Sequence, residues 1–288
     1  MSVKTPNARW FTCVDIRAIA LAAAISLPIT GFSQEVAVTH CAGSCPYYTS
    51  AFTAGNSKVV IHHLYAAGLN RYSRRADWIA YRLSDEAVGI ASLLPREWQP
   101  DRLAGFSEVA ELQDLESGVS VPEIASSVSP YGGGSTPESN EQDRVHLAPM
   151  TSFANTPYWP EINYTSNMLP MPAPLRLGPW LRLEQSLNGL VSKEKELHVI
   201  TGPFFYDGEM PGSGSLEPGL NLAGYYKVVL DNSGYAAFIF PQQLAQNEDY
   251  CGQLAELDKI EELTGLHLLP DREAKRSRQL IANLNCTP

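Results

Sequence analysis

The sequence contains no run of about 20 apolar residues, the length that a helix needs to cross a bilayer, so we expect no contact with a membrane. Positive charge is also scarce, because 21 Lys and Arg stand against 31 Asp and Glu and give a formal net charge of -10. This balance argues against a protein that wraps duplex nucleic acid with a broad basic surface. It is compatible with a small basic cleft, since a local field can oppose the global one.

Internal repeats are absent, and so is the low apolar content of a disordered chain. Hydrophobic residues make up 44% of the sequence and charged residues 18%, which is enough apolar material for a core. One stretch, from about Glu116 to Gln142, is rich in Ser, Gly and Pro and predicts a mobile surface loop. Its three consecutive glycines lack the Lys-Ser/Thr of a phosphate-binding loop, so we predict no nucleotide site there.

The N-terminal segment has the pattern of a targeting sequence. Basic residues precede the apolar run Ala18–Ile29, and small residues follow it up to Ser33. This order is typical of a secretory signal peptide, with a buried N-terminal helix as the alternative. We therefore expect residues 1–33 to be removed near Ser33. Residues 34–288 would then form a single secreted or periplasmic domain that contains the loop at about 116–142.

Cysteine is also rare, and four of the five cysteines follow the predicted signal peptide. An even number in an exported chain suggests two disulfides. Cys41 and Cys45 could close a local loop, and a bond between Cys251 and Cys286 would fix the C-terminal segment. A zinc site is the alternative, although the sequence contains only one closely spaced pair of these cysteines.

Short β-branched and aromatic runs predict most of the regular structure. The predicted strands are Lys58–Tyr65, Ala76–Leu83, Glu196–Thr201, Tyr225–Leu230 and Tyr235–Phe240. The first two would be joined by a turn around Gly68–Ser73, the third would stop at Gly202–Pro203, and the last two flank the hairpin turn Asp231–Gly234. Helices are predicted after Pro179 and over Cys251–Leu263. This order favours an α+β fold with helices flanking a mainly antiparallel central sheet.

Candidate catalytic residues lie in three short stretches. Arg144 and His146 stand together in Asp-Arg-Val-His-Leu-Ala-Pro, directly after the predicted loop, and Asn167 follows in Ser-Asn-Met-Leu-Pro. Trp180 and Glu184 are four residues apart on a predicted helix, so they project from the same face. If that helix lies against the His146 strand, an imidazole, a carboxylate, an amide and a guanidinium would meet in one pocket.

These stretches resemble the DNA/RNA non-specific endonuclease family, the ββα-metal or His-Me finger nucleases. The family hallmark is Asp-Arg-Gly-His-x-Ala-Pro, then Ser-Asn-x-x-Pro-Gln, then Asn-x-Gly-x-Trp-x-x-Leu-Glu. Similar motifs continue over most of the chain after residue 33, for example at His40–Pro46, Arg96–Trp98 and Tyr225–Val228. The likeness is greatest to the secreted bacterial enzymes that accept both sugars. It implies the ββα-metal nuclease fold and the disulfides Cys41–Cys45 and Cys251–Cys286.

The resemblance also implies a role for each matching residue. His146 would be the general base, because an imidazole with an ordinary pKa of about 6.5 can take a proton from water near neutral pH. Arg144 and Arg96 would neutralise phosphate oxygens in the transition state. Glu184 would orient metal-bound water, and Asn167 would support the site. DNA and RNA would both be held by their backbone phosphates, without base recognition.

Three positions depart from the hallmark. Arg176 stands where the family has its metal-ligating Asn, and a guanidinium has no acceptor atom, so no metal ligand is certain here. The resemblance nevertheless implies Mg²⁺, or Mn²⁺, as cofactor, and Arg176 would instead contact substrate phosphate. Val145 replaces a glycine, and Met171 replaces a glutamine. The alternative to an active endonuclease is therefore a catalytically impaired protein that binds ligands on the nuclease fold. The sequence gives no prediction of oligomeric state.

Overall fold

A computed structural model of the protein describes residues 38–71, 75–105, 142–193, 196–205 and 222–287. Residues Val36–Pro288 form one compact unit. The predicted signal peptide at 1–33 and the predicted loop residues 116–141 lie outside the described residues, so both stay predictions. None of the helices in these ranges is long and apolar enough to cross a bilayer.

An antiparallel sheet of seven strands is the framework of the described chain. In spatial order its strands are β10 (Leu254–Ala255), β9 (Gly234–Pro241), β8 (Leu222–Asp231), β7 (Leu197–Phe205), β4 (Ala76–Leu83), β3 (Ala66–Asn70) and β2 (Ser57–Ile61). Two antiparallel pairs lie apart from it, β1 (Tyr47–Tyr48) with β11 (Leu266–His267) and β5 (Gln142–His146) with β6 (Met168–Pro172). The predicted α+β class with a mainly antiparallel sheet is confirmed.

Helices and short 3-10 turns flank the sheet. The helices are α1 (Ala51–Ala54), α2 (Ala173–Leu175), α3 (Leu181–Val191), α4 (Leu257–Thr264) and α5 (Arg278–Asn283). The 3-10 turns are Thr39–Cys41, Asp85–Ala87, Ala91–Leu93, Met150–Ser152, Trp159–Asn163, Thr165–Asn167 and Tyr250–Gln253. A wide turn, Arg176–Trp180, joins α2 to α3, and Gly178 within it leaves the helical conformation. Helix α4 ends at Gly265 as predicted, in the left-handed conformation, but begins at Leu257 instead of Cys251.

The sheet is buried on both faces because its strands alternate their side chains between two cores. On β8, Tyr225 and Val229 belong to the core that includes α3 residues, whereas Tyr226 and Val228 belong to the core that includes Ile260 of α4. The apolar stripe predicted for the helix after Pro179 is confirmed: Trp180, Leu183, Leu187, Leu190 and Val191 are all buried in the first core. The α3 helix is therefore fixed against the middle of the sheet.

The prediction of a single turn around Gly68–Ser73 is wrong at its start, because Gly68 lies inside strand β3, which ends at Asn70. Strand β2 ends at Ile61, and β3 pairs with β2 on one side and β4 on the other. A Cβ on Gly68 would lie 2.1 Å from Trp78 Nε1 across the strand pair. The glycine thus makes room for an indole ring instead of bending the chain.

The predicted strand end at Gly202 is also wrong, since β7 continues through Gly202 and Pro203 to Phe205. Pairing between β7 and β4 reaches only Thr201, so the later part of β7 is paired with β8 alone and tolerates a proline. In contrast, the predicted hairpin turn is confirmed, because Asp231 pairs with Gly234 between β8 and β9.

Both predicted disulfides are present. Cys41 is bonded to Cys45, with Cα atoms 4.9 Å apart, and Cys251 is bonded to Cys286, with Cα atoms 5.3 Å apart. The four sulfurs are therefore not available as zinc ligands. The second disulfide joins the segment before α4 to the C-terminal segment after α5.

Candidate functional site

The β5–β6 pair presents the predicted base. Strand alternation places Arg144 and His146 on one face of β5, while Val145 points to the other face and is buried in the core. Val145 is not among the described residues with positive φ, which are Ala42 and Asn285 apart from glycines. The valine is thus compatible with its backbone, and the conflict that a positive φ would have created does not arise.

Asn167 holds the chain that follows His146. Its Oδ1 accepts a hydrogen bond from the Ala148 N–H at 2.8 Å, and its Nδ2 donates to Ala148 O at 3.0 Å and to Ile162 O at 2.9 Å. The side chain is fully buried. These three bonds use the amide to fix the backbone that follows His146, and the supporting role implied by the resemblance stays a prediction.

Asn163, whose role the sequence did not indicate, contacts the predicted base directly. Its Oδ1 lies 3.1 Å from His146 Nε2, and its Nδ2 donates to Pro95 O at 3.0 Å. Because the bond to Pro95 requires the amide nitrogen, the oxygen must face the imidazole and accept a hydrogen bond from it. Nε2 therefore carries the hydrogen, and Nδ1 is left as the basic nitrogen of the neutral ring.

Trp98 covers the imidazole, with ring centroids 4.4 Å apart and planes 25° from parallel. Burial lowers the pKa of His146 to about 4, and the hydrogen bond that the ring donates to Asn163 works against this change. The positive charges of Arg96 and Arg176 lower the pKa further. The ring is therefore neutral at neutral pH, which is the form that a general base requires.

Three arginines surround this histidine. The exposed Arg96 and the half-buried Arg176 act on it electrostatically, and Arg144 shares its face of β5. They come from three separate parts of the chain: the segment before Trp98, strand β5 and the turn before α3. The result is a local concentration of positive charge in an acidic protein, with guanidinium donors of the kind that bind phosphate.

Glu184 has a different environment from the one expected. It is 7% exposed, and its Oε1 accepts a hydrogen bond at 2.9 Å from Nζ of Lys227, which is completely buried. The same Nζ lies 4.0 Å from the centre of the Trp180 ring, so Trp180 and Glu184 do share one face of the helix. Burial raises the pKa of Glu184, and the Lys227 charge counteracts this increase. The pair binds α3 to β8.

A divalent cation does not fit the residues present. Arg176 stands at the position where the resemblance expects a metal-ligating Asn, and its side chain offers only hydrogen-bond donors. At 4 Å and an effective dielectric of 20, its charge would repel each unit of positive charge by about 4 kcal/mol. In the described part of the chain, no group of three or more His, Cys, Asp and Glu side chains could hold a metal ion. Met171 is also fully buried in the core, so its side chain offers no ligand.

Trp98, Asn163 and Lys227 are the site residues that sequence reasoning missed. Trp98 lies two residues after Arg96 in a motif that resembles the family, but tryptophans are usually found in cores. Asn163 precedes Asn167 by four residues, and that spacing by itself predicts no contact with a histidine. The available signal for Lys227 was a charged residue inside an otherwise apolar strand, which requires a buried partner.

Comparisons with known proteins find similar nucleases. A nuclease from Serratia marcescens is 28% identical over 266 residues, which cover 88% of this chain and 90% of that protein. A nuclease from a Nostoc species is 24% identical over 257 residues, which cover 84% of each chain. The solved structure of the EndoG/EndoGI complex contains a chain that superposes with a TM-score of 0.53 at 18% identity. The alignment covers 73% of this chain and 84% of that one, and it supports the fold alone.

The family relationship rests on most of the chain, since the sequence model of the DNA/RNA non-specific endonucleases matches residues 44–275. This range contains the candidate base, the three arginines and the Glu184–Lys227 pair. The chain therefore belongs to the DNA/RNA non-specific endonuclease family.

Proposed function

We propose that the protein is an endonuclease that hydrolyses phosphodiester bonds of both DNA and RNA. The observation that carries this proposal is the neutral His146 ring, whose Nδ1 is available as a base among Arg96, Arg144 and Arg176. Family membership and two relatives named as nucleases support the same reaction.

In the proposed reaction, Nδ1 of His146 takes a proton from a water molecule while the water oxygen forms a bond to phosphorus. The bond between phosphorus and the leaving sugar oxygen breaks, and the leaving oxygen takes a proton from solvent. The imidazolium then returns its proton to solvent. Arg96, Arg144 and Arg176 balance the negative charge that grows on the phosphate oxygens in the transition state.

Three further residues act as positioning residues in this proposal. Asn163 fixes the tautomer of His146, and Asn167 fixes the loop behind it. Glu184 holds α3 to the sheet through Lys227, and with it the turn that carries Arg176. Because a divalent cation does not fit at Arg176, no step is assigned to Mg²⁺ or Mn²⁺.

The arginines recognise phosphate and not bases, which is why we propose that DNA and RNA are both substrates. We also propose that residues 1–33 are a signal peptide cleaved near Ser33. Residues 34–288 then act as one secreted or periplasmic domain. Two disulfides favour such an oxidising compartment.

The experiment compares the purified protein with its His146→Ala variant on plasmid DNA and on RNA. We expect both substrates to be cut, and removal of the base to lower the rate by about 10²–10⁴-fold. His267→Ala is the matched control, since this histidine pairs with Glu261 and lies outside the site. The proposal is wrong if both nucleic acids stay intact, or if the His146 variant cuts at the parent rate.

A second candidate function is a protein that binds nucleic acid on the nuclease fold without cutting it. Arg176 favours this alternative, because it replaces the Asn that, in the family motif, would hold the catalytic metal ion. Retarded migration of DNA and RNA without cleavage products would support this alternative. Cleavage that depends on His146 would exclude it.

A further inference from the structure

We propose that Arg176 takes the place of the divalent ion, so that this protein cuts phosphodiester bonds without a metal. The inference rests on the proposed nuclease function, and it specifies which group supplies the positive charge that the transition state needs. It is carried by the electrostatic effect of Arg176 on His146, by the packing that fixes the turn with Arg176 and by the pairing of the Glu184 carboxylate.

The first argument is that the guanidinium lies close enough to the base for its charge to act on the imidazole. Arg176 is half-buried, and its charge acts on His146 together with that of Arg96. Arginine presents several N–H groups in a planar fork, which can bind two phosphate oxygens at once. A fixed cation in this place can balance the charge that develops on the phosphate during attack.

The second argument is that the turn carrying Arg176 is held firmly. A Cβ on Gly178 would lie 2.5 Å from Gln246 O, so the turn is in close contact with that backbone. Arg182 donates to the same oxygen at 3.0 Å, and Trp180 packs against Tyr225 and Phe240. Because the turn is fixed, the backbone that carries the guanidinium does not need to reorganise during the reaction.

The third argument concerns the carboxylate that resembles the family's Glu. The charge of Glu184 is already balanced by Lys227 at 2.9 Å, and the carboxylate is buried. The amide of Asn167 is used by three backbone hydrogen bonds. Neither side chain is therefore left to offset the repulsion between Arg176 and an incoming divalent cation.

The test measures cleavage of plasmid DNA and RNA by the purified protein with excess EDTA and with added Mg²⁺. We expect the parent protein to cut at the same rate in both conditions. Arg176→Asn should lose about 10²–10³-fold of the rate in EDTA, and Mg²⁺ should restore part of it. Arg176→Lys is the matched control, because it keeps the charge but not the fork, and it should retain more of the EDTA-resistant rate than Arg176→Asn.

A second measurement does not depend on activity. Titration with Mn²⁺, followed by electron paramagnetic resonance, should find no bound ion in the parent protein and one bound ion in Arg176→Asn. Thermal unfolding should show that both variants are folded. Cleavage that EDTA abolishes and Mg²⁺ restores, or a bound Mn²⁺ in the parent protein, overturns the inference while the nuclease function stands. No cleavage in EDTA, Mg²⁺ or Mn²⁺ overturns the nuclease function as well.

Discussion

Trp98 should set the pH at which the enzyme loses activity in acid. The indole covers one face of His146, and burial is the largest cause of the low pKa of that ring. Only the neutral imidazole can accept a proton from water. Activity should therefore be present above the pKa of His146, at about 4, and should fall as the pH decreases through this value.

Replacing Trp98 by Ala should move the acid limb of the profile to higher pH. An unperturbed histidine has a pKa near 6.5, so the folded environment disfavours the charged ring by roughly 3 kcal/mol at about 1.4 kcal/mol for each pH unit. Burial accounts for more of this than the charges of Arg96 and Arg176 do, and Trp98 covers one of the two ring faces. We therefore expect the midpoint to rise by about one pH unit.

The assay is the pH dependence of kcat/KM for a short DNA duplex, which reports the pKa of the free enzyme. Trp98→Phe is the control, because a phenyl ring can still cover the imidazole and should keep the midpoint near that of the parent. The height of the profile can fall in both variants, so only the midpoint is decisive. A parent midpoint near 6.5, or equal midpoints for the parent and Trp98→Ala, would refute the reasoning.

Three further predictions concern stability. Lys227→Met should lower the free energy of unfolding, measured in urea, by about 3–5 kcal/mol, because it leaves Glu184 buried without its partner. Adding Glu184→Leu should recover most of this loss. An equal loss in the single and the double variant would contradict the pairing. Gly178→Ala should lower both the melting temperature and the nuclease rate, because its Cβ would lie 2.5 Å from a backbone oxygen. Gly189→Ala, with nothing within 4 Å, should instead stabilise α3 by about 0.5–1 kcal/mol in thermal unfolding. Cys251 and Cys286 are 35 residues apart, and replacing both by Ser should lower the free energy of unfolding in urea by about 4 kcal/mol. Loss of the N-terminal disulfide, with a separation of 4, should cost about 2 kcal/mol, and equal costs would count against the chain-entropy argument.

Local signals predicted the parts of the fold that local chemistry decides. The turn Asp231–Gly234 was predictable because Asp231 Oδ1 accepts hydrogen bonds from Ser233 N and Gly234 N within the turn itself. The apolar stripe of α3 was predictable because its residues recur three or four positions apart along the sequence. Gly68 and Gly202 were misleading, since both lie in strands where another part of the chain approaches closely: the Trp78 ring in one case and the Asp77 carbonyl in the other. Such contacts are decided by tertiary packing, which local composition does not contain.

The candidate site shows the same division. Arg144 and His146 could be placed on one face because strand geometry relates positions two apart. The contacts of His146 with Trp98 and Asn163 join segments that are distant along the chain, and no spacing rule connects them. The burial of Glu184 against Lys227 likewise depends on α3 packing across the sheet. The residue types were therefore predictable, but the partners that set their protonation were not.

The base and the proposed cation are held by separate contacts, which explains how one can change while the other is kept. His146 depends on β5, on Asn163 and on Trp98, whereas Arg176 depends on a turn fixed by Gly178 and α3. A substitution at position 176 alters the charge near the imidazole without removing any of its hydrogen bonds. Arg176→Asn should therefore leave Nε2 as the protonated nitrogen of His146, which nitrogen NMR of the ring can measure. A change of tautomer in that variant would show that the two parts of the site are coupled.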